Sequence, residues 1–64
     1  MNIVKKYREA KNISRTDLAD KVKISRSMVE AIEQNRRKPS YKVAVKISNF
    51  LEIPWEKMNI FLLN

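Results

Sequence analysis

Cysteine, histidine and glycine are all missing from this 64-residue chain. Without cysteine no disulfide framework is possible, and without thiolate or imidazole the usual ligands of a zinc or iron centre are gone. No metal or cofactor is therefore expected. The same gaps remove nucleophile–base pairs built on these residues and the glycine-rich loops that cradle phosphates, which argues against an enzyme. Apolar runs are short as well: none approaches the roughly 20 residues of a bilayer span, and the start, NIVKKYREAK, lacks the apolar segment of a secretory signal. A cytoplasmic protein with no membrane contact is expected. Acidic residues are scarce, 7 against 14 Lys and Arg, so the net charge is +7 and the pI about 10.1. A polyanion is the default partner for such a balance, and charge alone leaves nucleic acid, a membrane surface and an acidic protein all open.

What is present is helical periodicity. No stretch alternates with period two for long enough to make a strand, and apolar residues recur at three- and four-residue spacing. The first helix is expected from Asn2 to about Lys11, with Ile3, Val4, Tyr7 and Ala10 on one face and Asn12 in a left-handed closing position. Ser14 and Ser25 each stand where an N-cap should, and Asp17 completes a shortened capping box. Leu18, Ala19 and Val22 then form the apolar face of one helix, Val29 and Ile32 that of the next, with Lys23, Ile24 and Ser25 as the turn. Ser40 caps a fourth helix whose apolar positions are Tyr41, Ala44, Val45, Ile47 and Leu51. Pro54 suits the first position of a fifth helix running to about Leu62. At this length one domain, residues 1–64, is expected, all-α and five-helical.

Two short amphipathic helices back to back, Ser14 to Asn35, have the layout of a helix-turn-helix. The polar side of the second carries Arg26, Ser27, Glu30 and Ala31, short or hydrogen-bonding groups with no core to fill. The read-out ISRTDLADKVKISRSMVEAIEQNRRKPS, continuous from Ile13 to Ser40, resembles the Cro and phage-repressor type of helix-turn-helix regulator, and the likeness covers nearly the whole chain.

That resemblance implies a compact lambda-repressor-like fold, double-stranded DNA as partner, and a dimeric transcription regulator, most often a repressor from a phage or mobile element, reading an inverted repeat. The helix opened at Ser25 would enter the major groove, with Arg26, Ser27, Glu30 and Ala31 at base edges. Ser14, Arg15, Ser25, Asn35, Arg36, Arg37, Lys38, Ser40 and Tyr41 match positions that contact phosphate. Arg8 and Glu33 match a structural ion pair. Three departures stand out: Arg15 where glutamine is usual, Lys23 where the turn usually has glycine, and Arg36 where glycine usually follows Asn35.

The end of the chain leaves a separate expectation. Trp55, Met58 and Leu62 share a face suited to covering the core, which leaves Ile60, Phe61 and Leu63 without a dry place. An apolar patch of that kind marks an interface. A homodimer through Trp55, Ile60, Phe61 and Leu63 is expected, the alternatives being a disordered tail end or an antitoxin-like module that docks a partner protein there.

Overall fold

The computed structural model describes residues 2–63. Five helices follow one another: α1 Ile3–Ala10, α2 Arg15–Val22, α3 Arg26–Glu33, α4 Tyr41–Leu51 and α5 Trp55–Leu63. The first four open on side-chain caps. Asn2 accepts from the Val4 and Lys5 amides, and Ser14, Ser25 and Ser40 accept from those of Asp17, Met28 and Val43. Each cap satisfies a first-turn amide that the helix itself cannot pair, worth about 1 kcal/mol against alanine. Pro54 lies just ahead of α5 instead of inside it, and its carbonyl accepts from Lys57 and Met58 at 3.0 and 3.2 Å.

In a chain without glycine, helix exits fall to residues with a Cβ. Asn12, Lys23, Asn35 and Glu52 all take positive φ, between 57° and 64°. In each case the next amide reaches back five residues: Ile13 to Arg8, Ile24 to Ala19, Arg36 to Ala31 and Ile53 to Ser48, at 2.9–3.2 Å. This is the hydrogen bond of a left-handed helix cap, which usually adds an apolar contact from the residue after it. Three exits follow that rule, because Ile13, Ile24 and Ile53 all pack on or in the core. The fourth has the exposed Arg36 in that place.

The core gathers Val4 from α1, Leu18, Ala19 and Val22 from α2, Val29 and Ile32 from α3, Ala44, Ile47 and Leu51 from α4, and Met58 from α5. The helical spacing thus buried the faces it marked, with three exceptions. Ala10 is exposed at the end of α1. Tyr41 is 71% exposed, and Trp55, which the spacing put over the core, is 36% exposed. The two rings meet edge to face, centroids 5.5 Å apart, and shelter each other at the surface. No described helix is long and apolar enough to cross a membrane.

Candidate nucleic-acid interface

α3 has one face in the core and one in solvent. Ser25, Arg26 and Ser27 are exposed and Glu30 is half-buried. Arg26 and Glu30, one turn apart, approach to 4.0 Å with side chains 63% and 40% exposed, a loose pair that either can leave at little cost. Ala31 differs from the expectation. It is 6% exposed, and its carbonyl accepts from the amides of Arg36 and Arg37 at 2.9 and 3.2 Å, so the returning chain folds back onto this turn. Gln34, which is not among the expected contacts, is exposed and lies one turn beyond Glu30. The signal was available as the four-residue spacing Arg26, Glu30, Gln34. Its amide oxygen accepts from Arg36 Nε at 2.9 Å.

The segment after α3 divides in two. Arg36 and Arg37 are exposed. Asn35 and Lys38 are exposed too, but each already has a partner within the protein. Asn35 Oδ1 accepts from Asn2 Nδ2 at 2.9 Å, and the same Asn2 amide donates to the Ile32 carbonyl at 2.9 Å, tying the start of α1 to the end of α3. Lys38 Nζ donates to the Phe61 carbonyl at 2.5 Å and sits 4.1 Å from the Phe61 ring centroid. All three cations of the run are therefore exposed, and Lys38 differs only in being engaged by Phe61. The serine caps keep a donor each: while Oγ of Ser14, Ser25 or Ser40 accepts an amide, its hydroxyl proton remains available to an outside acceptor.

The expected Arg8–Glu33 pair is present, and it is larger than a pair. Arg8 grips the carboxylate in a fork, Nε to Oε2 at 2.7 Å and Nη2 to Oε1 at 3.1 Å, while its Nη1 donates to the Ile13 carbonyl at 2.8 Å. Arg15 adds a third bond, Nε to Oε1 at 3.1 Å. The Glu33 side chain is 1% exposed, that of Arg8 8% and that of Arg15 33%. One carboxylate thus joins α1, the start of α2 and the end of α3. Its hydrogen bond holds the Arg8 guanidinium above its ordinary pKa, against the opposing effect of burial. Arg15 is only partly available as a surface cation, because Glu33 already occupies one of its donors.

At the far side of the molecule the expected interface residues separate. Trp55 shares a hollow with Tyr41, Val45, Ser48, Asn49 and Ile53. Ile60 and Phe61 border a different one, with Ile3, Lys38 and Lys57. Phe61 is half-buried against the core, whereas Ile60 and Leu63 are 59% and 77% exposed. The four do not make one patch, because Trp55 and Ile60, five positions apart on a helix, point about 140° apart and border different hollows.

A helix-turn-helix family model matches residues 4–58. The chain belongs to this family, in its Cro- and C1-type branch. Among its relatives is an uncharacterized HTH-type transcriptional regulator, MJ0272, of Methanocaldococcus jannaschii, 38% identical over 60 residues, which cover 94% of this chain and 91% of that one. The HTH-type regulator YqaE of Bacillus subtilis is 38% identical over 50 residues, 78% of this chain but 43% of its own. A putative HTH-type regulatory protein of Methanococcus vannielii is 41% identical over 51 residues, 80% of this chain and only 16% of its own length. This helix-turn-helix is thus similar both to a protein of its own size and to parts of longer ones. No solved structure matches the chain.

Proposed function

We propose that this helix-turn-helix protein is a sequence-specific double-stranded DNA-binding transcription regulator, a dimeric repressor of the phage or mobile-element type that reads an inverted repeat. The observation that carries the reading is the division of α3: Val29 and Ile32 are 1% exposed in the core, and Arg26 and Ser27 stand in solvent on the other side. A helix so placed fits the major groove, where Arg26 pairs with guanine O6 and N7, Ser27 bonds to a neighbouring base, and Glu30 accepts from a cytosine amino group. Ala31, being buried, is left out of the contact set, and Gln34 is added to it. Phosphate contacts come from Ser14, Arg15, Ser25, Arg36, Arg37 and the opening turn of α4 at Ser40 and Tyr41. Asn35 and Lys38 do not join them in the arrangement described above.

In a dimer the two α3 helices would lie about 34 Å apart, one turn of B-DNA. The Tyr41–Trp55 hollow is the better meeting surface, since its lining carries no charge. Self-contact at Ile60 would bring Lys38 and Lys57 of both copies together. The exposed Ile60 and Leu63 favour one second reading, an antitoxin-like module docking a partner protein, for which stable co-purification with that partner is the mark. Selection of bound sites from random duplexes tests the main reading. A palindrome is expected, with Arg26→Ala changing the preferred base at one position per half-site. Indifference to sequence would refute it.

A further inference from the structure

Arg8 and Arg15 share one carboxylate, but they use it differently. All three guanidinium nitrogens of Arg8 are engaged, two by Glu33 and one by the Ile13 carbonyl. Arg15 spends only Nε on Glu33, and its two terminal nitrogens have no partner among the described residues. The charges are also unequal. Two arginines against one glutamate leave a surplus of one positive charge, and it falls on Arg15, the partner that is 33% exposed. Glu9 lies 4.0 Å from Arg8 with a half-exposed side chain.

Placement sharpens the point. Arg15 is the first residue of α2 and Glu33 the last of α3. Each therefore sits at the helix end whose dipole opposes its charge. Local helix preference selects neither residue at its position. Their mutual bond offsets the conflict for both, and it fixes the orientation of a planar fork whose outer edge remains unsatisfied. Such an edge is complementary to two oxygens of a phosphodiester.

We propose that Glu33 is a positioning residue that holds Arg15 by Nε, so that the Nη edge of this arginine clamps one backbone phosphate of the bound duplex. The proposal rests on the DNA-binding reading above and adds to it how one contact is made. Orientation carries part of the affinity, and charge alone is not enough.

The test uses the full chain and a mixed-sequence duplex of about two helical turns, since phosphate contacts need no operator. Arg15→Ala is expected to weaken binding and to lower the slope of log K against log salt by about 0.9 per subunit. Arg15→Lys keeps the charge, and is expected to keep the slope while losing about five- to tenfold in affinity. Glu33→Gln, where circular dichroism shows it folded, separates the alternatives by sign. Removing an acid strengthens binding to a polyanion if charge alone matters, whereas the proposal expects weaker binding and little further loss when Arg15→Lys is added. If Glu33→Gln does not fold, the Arg15 Nε–H resonance of the unaltered chain replaces it: slow exchange with solvent is expected both before and after the duplex is added. Wild-type affinity in Arg15→Lys, tighter binding in folded Glu33→Gln, or loss of Nε–H protection on binding would each overturn the proposal. Absence of salt-dependent binding by the unaltered chain would overturn the DNA reading itself, and this contact with it.

Discussion

Removing the Glu33 side chain should cost more than removing that of Arg8, although the two form the shortest ion pair of the cluster at 2.7 Å. Breaking a buried pair by deleting one partner costs about 3–5 kcal/mol, mostly because the survivor is left charged and unpaired away from water. The survivors here are not equivalent. In Arg8→Met the carboxylate, 1% exposed, keeps Arg15 at 3.1 Å as counter-charge, so a loss of about 2–3 kcal/mol, at or just below the lower end of that range, is expected. In Glu33→Met the Arg8 guanidinium, 8% exposed, retains only the Ile13 carbonyl and a solvated Glu9. Arg15 can turn to water, but Arg8 cannot, and a loss of about 4–5 kcal/mol is expected. The double variant should be more stable than Glu33→Met alone, since it removes the stranded cation as well. Urea unfolding followed by circular dichroism gives the three values, read at constant m. Equal losses in the two single variants would show that Arg15 does not share the carboxylate, and additivity in the double that Arg8 and Glu33 are not coupled; either would refute the reasoning.

Three further outcomes follow from the same structure. Lys23→Gly should stabilise the fold by about 0.5–1 kcal/mol, because Lys23 holds φ at 64° and the steric relief exceeds the entropy glycine adds to the unfolded chain; a lowered melting temperature would contradict this. The Glu52 carboxyl is held below its ordinary pKa by its hydrogen bond to Lys11 and then by the charge of that lysine. Its contribution to stability is therefore present above the ordinary carboxylate range and is lost as pH falls through the depressed folded value. A carbon-detected titration should place the Glu52 midpoint below the ordinary carboxylate range, and Lys11→Met should raise it. Ile47→Ala, at a site with no exposure, should cost about 2–5 kcal/mol by transfer and cavity terms together, measured by the same urea unfolding.

Sequence by itself determined the five helices, their caps and the core. Ser14, Ser25 and Ser40 open helices wherever they stand, because capping is a bond between neighbours in the chain, and the three- to four-residue spacing of Leu18, Val22, Val29, Ile32 and Ile47 settles which face goes inward. The Arg8–Glu33 pair was legible only through the family resemblance, as 25 residues separate the partners. Tertiary structure alone decided which polar groups remain available. Arg15 lies beside Glu33, and Asn35 and Lys38 turn back to Asn2 and Phe61, because packing brings together groups that lie 18, 33 and 23 positions apart. It likewise buried Ala31. Local spacing shows which side of a helix is polar; only the neighbours supplied by folding show whether a charge on that side is already satisfied.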